Sequence, residues 1–382
     1  QTLRERYPFP VIGMEPAIKP ALTQSTGKKI MVFATSLTLR ESRLEALISN
    51  LGQSHRVECR ALDRLVRFAE AFDFTSRAVS DYLADTPDGF RSGFVSFVGR
   101  PNTGKSTLTN ALVGEKIAIT ANQPETTRHP IRGLVHRENA QIVVVDTPGL
   151  HKPRTLLGER LNEIVKDTYA DVDLIGLTVP ADEKIGPGDR WILENLRKVV
   201  PNTPIVGIVT KLDKASKDQV GAQLLALHEL LGGESEVVPV SAQDGTQVDV
   251  LLDVIASLLP EGPKFYPDDH VTDDDTEKRI SELIREAALS GLKDELPHSV
   301  AVEVDEILRD NGKLTIHAII YLEREGQKAI IQGKDGRRFG RIIHNSRQEI
   351  IKLLGENVFL DLRLKVLKNW QSDPKSLGRL GF

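Results

Sequence analysis

Cysteine is almost missing from this chain. Among 382 residues there is one, Cys59, which excludes an internal disulfide framework and a cysteine-rich metal site. Such a chain suits a reducing cytosol, and a disulfide-free secreted protein equally. Long apolar runs are missing as well: none approaches the roughly 18 residues that a membrane-spanning helix needs. No excess of one charge stands out, since the formal net charge is −4. Any nucleic-acid surface must therefore be local. The first residue is Gln1, not Met, and "QTLRERYPFP" has no apolar core of a signal peptide. That start reads as a fragment or a processed end. What remains is ordinary globular composition, 40% hydrophobic and 27% charged, in a chain long enough for two or three domains.

Composition shifts divide the chain into three parts. Residues 1–85 mix short apolar runs ("FPVIGM", "KKIMVFAT") with helical patterns ("ESRLEALISNL", "ALDRLVRFAEAF"), an α/β character. A Pro/Gly/Asp-rich linker is expected at 86–93. From 94 to 260 strands and helices alternate: "FVSFVG", "IRGLVHR", "AQIVVVD", "DLIGLTVP", "PIVGIVTK" and "EVVPVS" read as strands. A doubly wound, mostly parallel sheet is predicted, with a hairpin turning at Glu138-Asn139. An acidic, Pro-containing stretch at 261–275 reads as a second linker. Residues 276–382 read as a small α+β domain. Its last strand places Val358, Leu360, Leu362, Leu364 and Val366 on one face and Asp361, Arg363 and Lys365 on the other.

"GRPNTGKS", Gly99 to Ser106, matches G-x-x-x-x-G-K-[ST], follows a predicted strand and opens a predicted helix. A chance match is expected roughly 0.01 times in a chain of this length. Gly99 and Gly104 let backbone N–H groups, including those near Thr103 and Thr107, approach a phosphate at a helix N-terminus. Lys105 should reach the β- and γ-phosphates, and Ser106 a Mg²⁺ ion. Asp146 ends the strand "VVVD" and can hold Mg²⁺ through water, while the N–H of Gly149 can meet the γ-phosphate. Between them, "TANQPETTRHP" reads as a loop able to close on that phosphate. Either Thr126 or Thr127 could supply a hydroxyl to the metal. After a further strand comes "TKLD". Asp213 can accept hydrogen bonds from N1–H and the 2-amino group of guanine, a pair that adenine lacks. Lys211 can pack its stem over the base. Ser241 and Ala242 of "SAQDG" would bring loop backbone to the guanine carbonyl.

In the last part, Gly333-Lys334-Asp335-Gly336 is read between a strand and a helix. Gly-x-x-Gly lets a protein backbone run close to a nucleotide backbone, as in KH domains. Arg337, Arg338, Arg341 and Arg347 follow. From Arg324 onward there are 13 Lys/Arg and 6 Asp/Glu, a local balance of +7 that the whole-chain charge hides.

The order of phosphate loop, Thr loop, DTPG and TKLD/SAQ resembles translation-factor-type GTPases. Over residues 84–382 the chain resembles the Era family of bacterial ribosome-assembly GTPases, with "GFRSGFVSFVGRPNTGKSTLTNALVGEKIAIT" and "QPETTRHPIRG" carrying the likeness. The resemblance implies a P-loop GTPase domain followed by a type II KH domain. It also implies Mg²⁺ and GTP/GDP as cofactors, and Thr127 as the threonine that meets Mg²⁺. It implies RNA, not DNA, as the nucleic acid: 16S rRNA near its 3′ end and the 30S subunit. A cytoplasmic site follows, with peripheral attachment at the inner face of the cell membrane left open. Thr210 stands where the family's guanine motif has Asn, a residue that bridges to the phosphate loop. Residues 1–85 instead resemble an internal fragment of glutamate racemase, without either cysteine motif of that enzyme, so no catalytic residue is carried over.

Leu150 follows DTPG where many GTPases carry a water-positioning glutamine. An apolar side chain cannot polarise water, so the catalytic aid should lie elsewhere. Asn102 sits where related GTPases coordinate K⁺, and slow, K⁺-stimulated hydrolysis is expected. Lys105, Asn102, Thr127 and Gly149 form the expected catalytic set. Two rivals remain: an RNA-binding module that holds GTP with little hydrolysis, and a racemase–GTPase fusion.

Overall fold

The structure, a computed structural model, describes residues 30–34, 57–61, 89–120, 127–148, 155–272, 275–292, 299–310 and 312–381. These fall into two compact units. The first takes residues 1–92 with 261–267, and the second takes 93–260 with 268–382.

In the first unit, β1 (Ile30–Ala34) and β2 (Val57–Ala61) pair in parallel, Ile30 opposite Val57. Further along, Gly262 N–H donates to Phe90 O at 2.9 Å and Ser92 Oγ to Pro263 O at 2.7 Å. The rest of the racemase-like stretch lies outside the described residues.

The second unit contains two layered folds. In the first, β3 (Arg91–Val98), β4 (Ile131–His136), β5 (Ala140–Asp146), β6 (Leu174–Pro180), β7 (Ile205–Thr210) and β8 (Val237–Pro239) form one sheet of order β4-β5-β3-β6-β7-β8. The β3–β6, β6–β7 and β7–β8 pairs are parallel, and β4–β5 is the expected antiparallel hairpin. β3 starts at Arg91, inside the stretch read as a linker. Packing explains this: Ser92 and Gly93 are already buried, one on each face, and a Cβ on Gly93 would lie 2.7 Å from Leu259 Cδ2.

Helices α1 (Lys105–Val113), α2 (Leu156–Ala170), α3 (Pro187–Val199), α4 (Lys217–Leu230) and α5 (Val248–Leu258) cover both faces. Leu108 and Leu112 of α1 and Leu251 and Ile255 of α5 pack with Val95, Phe97, Val206 and Ile208. On the opposite face Val165 of α2, Ile192 and Leu196 of α3 and Leu227 of α4 pack with Ile175, Leu177 and Val209. Strands buried on both faces read as continuous apolar runs, which is why they were legible. Residues of the second predicted linker run beside β4: Leu134 N–H donates to Val271 O at 2.8 Å, and Thr272 Oγ1 to Arg132 O at 2.6 Å.

The second fold has the order α6 (Thr276–Leu289), β9 (Ala301–Asp310), β10 (Lys313–Leu322), α7 (Glu325–Gln332), α8 (Arg337–Leu354), β11 (Val358–Val366), then α9 (Pro374–Arg379). Its sheet runs β11-β10-β9, with β10 parallel to β11 and antiparallel to β9. Val358, Leu360 and Leu362 are buried against α6, α7 and α8 as their spacing predicts. One expectation is corrected. The segment before Gly333 is a helix, α7, and not a strand. Gln327 and Lys328 are half-buried and Ile331 is buried, a helical and not an alternating spacing, and Ile330 is 52% exposed.

Candidate functional site

The phosphate loop joins β3 to α1. Asn102 takes a left-handed φ of 62°, which asparagine tolerates better than most residues. Gly104 at φ 93° caps α1. Gly99 has no room for a side chain, since a Cβ would lie 2.3 Å from Thr178 Oγ1 and 2.5 Å from Thr178 O. Thr103 is buried, with Oγ1 2.9 Å from Thr178 Oγ1. Thr107 lines the cleft beside it. Lys105 is buried, and its Nζ donates to Gly99 O at 3.0 Å and Arg100 O at 2.8 Å. Burial lowers its pKa to about 8, against the pull of Asp146.

Three predicted metal-site residues meet. Ser106 Oγ donates to Asp146 Oδ2 at 2.8 Å, Thr127 Oγ1 donates to the same oxygen at 2.9 Å, and the two hydroxyls are 3.0 Å apart. They come from the start of α1, the loop before β4, and the end of β5. Asp146 is fully buried, and burial raises its pKa despite both hydroxyls and Lys105. Among the described residues its Oδ1 has no hydrogen-bond partner. A buried carboxylate with a bare oxygen, beside two hydroxyls, is a hard-oxygen set that fits Mg²⁺, with phosphate and water completing the shell. Among the described residues no cluster of three or more His, Cys, Asp or Glu could hold a metal. Thr126, Gly149 and Leu150 lie outside the described residues.

At the far end of the sheet, Lys211 has φ 59° and starts a short turn, Leu212–Lys214, that carries exposed Asp213. Ser241 Oγ donates to Asp213 Oδ1 at 3.1 Å, and Ala242 follows beside the cleft. Thr210, the departure from the family's Asn, still bridges. Its buried Oγ1 donates to Thr103 O at 2.6 Å. A threonine hydroxyl is one bond shorter than an amide arm, and the β7 end reaches the loop without it. A cleft of about 900 Å³ joins these parts, lined by Asn102, Thr107, Lys211, Asp213 and Ala242 and walled on the other side by Glu286 of α6 and Asn345 of α8. That is an ample volume for a nucleotide.

Between α7 and α8, residues Lys334–Gly336 form a tight turn with Gly333 at φ 69°, Asp335 at 56° and Gly336 at 72°. Lys334, Arg337 and Arg341 are exposed. Asp335 and Arg337 pair at 3.1 Å on the surface, a contact of little energetic weight. Arg338 and Arg347 are directed inward. Arg338 donates to Ser290 O at 2.8 Å, at the end of α6, and Arg347 Nε to Val358 O at 2.7 Å.

Sequence reasoning passed over several residues. Arg100 in the phosphate loop pairs with buried Asp189 at 2.8 Å and Glu183 at 3.1 Å, tying the loop to α3. Arg128 and Trp370, both buried, meet at 5.5 Å. Arg128 follows the quoted "TT", and Trp370 is one of two tryptophans in the chain.

Comparison with known proteins agrees with this geometry. The family model for the 50S ribosome-binding GTPase matches residues 94–211, and that for the KH domain matches 295–371. Over 303 residues the chain is 80% identical to the GTPase Era of Corynebacterium diphtheriae, covering 78% of this chain and 99% of the relative. Identity to the GTPase Era of Mycolicibacterium smegmatis is 61% over 296 residues, 77% of this chain and 99% of the relative. Among solved structures, a crystal structure of Era with MgGDPNP and nucleotides 1506–1542 of 16S ribosomal RNA matches with a TM-score of 0.73 and 35% identity, covering 76% of this chain and 99% of that one. An Aquifex aeolicus Era variant bound to GDP and AlF4⁻ matches equally well, at 34% identity.

Proposed function

The chain belongs to the GTPase Era family, and from that premise we propose that it couples its GTPase state to binding of 16S rRNA near the 3′ end, in assembly of the small ribosomal subunit. The carrying observation is the meeting of Ser106, Thr127 and Asp146 on one oxygen within 3.0 Å. Thr127 belongs to a loop, while Ser106 opens α1 and Asp146 ends β5, so a group bound there senses the loop.

In this reading Lys105 exchanges its loop carbonyls for β- and γ-phosphate oxygens, where its charge stabilises the transferring phosphoryl group. Ser106 and Thr127 would hold Mg²⁺ directly and Asp146 through water. Bound there, Mg²⁺ neutralises charge that develops on the phosphate oxygens. The N–H of Gly149 meets the γ-phosphate. Asp213, with Lys211, Ser241 and Ala242, selects guanine. Asn102 would hold K⁺, which would supply positive charge toward the phosphates that a side chain at Leu150 cannot. Turnover is expected to be several-fold faster in K⁺ than in Na⁺ at equal ionic strength. Equal rates would remove K⁺ from the scheme without touching the rest.

The KH turn would clamp single-stranded rRNA of the 30S subunit, with Gly333 and Gly336 admitting its backbone and Lys334, Arg337 and Arg341 meeting phosphates. The Era bound to nucleotides 1506–1542 of 16S rRNA supports this partner. Gly336 is the cleaner position to test. A Cβ there meets nothing within 4 Å, whereas at Gly333 it would lie 2.6 Å from Arg338 Cβ. The φ of 72° at Gly336 strains any side chain, by about 1–2 kcal/mol, and aspartate is among the residues that bear it best. Gly336→Asp should therefore keep the fold at slightly lower stability and weaken binding of a 16S 3′-terminal RNA by roughly 100-fold, through like-charge contact with phosphate and a blocked approach. GTP binding should not change, and unchanged RNA affinity in a titration would remove the KH reading. Among the described residues no helix is long and apolar enough to cross a membrane. A cytoplasmic place, with peripheral contact at the membrane's inner face, completes the proposal. Residues 1–85, without racemase cysteine motifs, are given no part in it.

A further inference from the structure

The loop that carries Thr127 is held at both ends by the KH fold. At its entry, Thr120 N–H donates to Glu286 Oε1 on α6 at 2.9 Å. At its exit, Arg128 is 1% exposed, and its guanidinium donates to Val300 O at 2.7 Å, just before β9. The same guanidinium lies 5.5 Å from the centroid of the Trp370 ring. Trp370 is fully buried and is itself fixed, with Nε1 donating to Ser299 O at 3.1 Å. A buried cation needs compensation. The carbonyl and the ring face supply part of it, and Glu282 of α6 adds charge, since Arg128 helps Arg285 hold that carboxylate below its usual range against burial.

A second strand of evidence ends at the same place. Leu157 and Leu161, on the first turns of α2 after the DTPG segment, pack with Ala301, Ile319, Tyr321, Trp370 and Leu377. Both loops that flank the phosphate site therefore lead into one cluster on the KH sheet.

We propose that Arg128 is a positioning residue for the metal site. It is clamped by Val300 O and the Trp370 ring, and so sets where the adjacent Thr127 hydroxyl stands. The KH fold is thereby a working part of the GTPase centre. Consecutive Cα atoms are about 3.8 Å apart, so a shift of the Arg128 anchor moves Thr127 almost directly. Lysine at this position would keep the charge but lose the planar fork that stacks and donates at once. This inference rests on the GTPase reading above and extends it to residues outside the nucleotide domain.

The test uses the full chain and measures GTP turnover against Mg²⁺ concentration, with GDP affinity measured separately by fluorescent-nucleotide titration. Arg128→Lys and Trp370→Leu should each raise the Mg²⁺ needed for half-maximal turnover by roughly tenfold, the factor that supporting residues of a metal site commonly control. GDP affinity should stay within about twofold, because its contacts run through the phosphate loop and the guanine motif. Trp370→Phe keeps a ring face and should stay near the wild-type Mg²⁺ profile. A merely structural role would lower the melting temperature without moving that profile. If Arg128→Lys and Trp370→Leu both fold, as circular dichroism would show, and keep the wild-type Mg²⁺ dependence, the proposal is wrong. A wild-type chain that binds no GDP overturns the nucleotide-switch reading, and this proposal with it.

Discussion

Lys105→Ala is expected to leave the chain folded and lower GTP turnover by at least roughly 100-fold, the scale of losing one preorganised charge at a transferring phosphoryl group. Two effects on stability oppose each other. Removing Nζ leaves Gly99 O and Arg100 O without the donor they have at 3.0 and 2.8 Å. Each lost partner costs about 1–3 kcal/mol if its carbonyl stays dry. In the other direction, the buried ammonium carries a desolvation penalty that lowers its pKa to about 8, and alanine removes it. Stability should therefore change much less than turnover. Parallel thermal melts and phosphate-release assays check both. A variant with near-normal turnover would show that Lys105 only stitches the loop.

Asp213→Asn should change the base that the site accepts. Asp213 is exposed and takes one bond from Ser241 Oγ at 3.1 Å, which an asparagine oxygen can still accept. The fold should be unaffected, as for most surface substitutions. Guanine offers two donors, N1–H and the 2-amino group. Asparagine would set its own N–H against one of them and leave it unpaired. Affinity for GTP should fall on the order of 10³-fold or more, as it does where a polar site loses its matching partner. Xanthine presents N1–H and a C2 carbonyl, a donor and an acceptor that match asparagine. XTP should recover most of the lost affinity. Competition binding with GTP and XTP checks this, and equal losses for both would place the base elsewhere in the cleft.

The sequence foreshadowed elements whose signal is local. The phosphate loop needs glycines and a lysine at fixed spacing, and Gly99 indeed sits against Thr178, where no side chain fits. Strands β5, β6 and β7 are buried on both faces and read as apolar runs. α7 resembles a strand end in sequence because it is only 8 residues long and its Ile330-Ile331 pair is β-branched and lies just before Gly333. Thr210 shows a different limit. The replacement of Asn was visible, but the survival of the bridge to Thr103 O depends on how closely β7 approaches a loop 107 residues earlier. The Arg128 anchor is of the same kind, since its carbonyl partner is 172 residues away. Charge counting marked Arg338 and Arg347 as surface candidates, and packing turned both toward main-chain carbonyls. No spacing rule carries that information.

The central claim is that nucleotide state and RNA binding are coupled in one molecule. Its most direct test is the affinity of the full chain for RNA carrying the 16S 3′-terminal stretch, measured with a non-hydrolysable GTP analogue and again with GDP. The account predicts affinities that differ by at least about fivefold, the lower end of typical coupling free energies. The same affinity in both nucleotide states would contradict it.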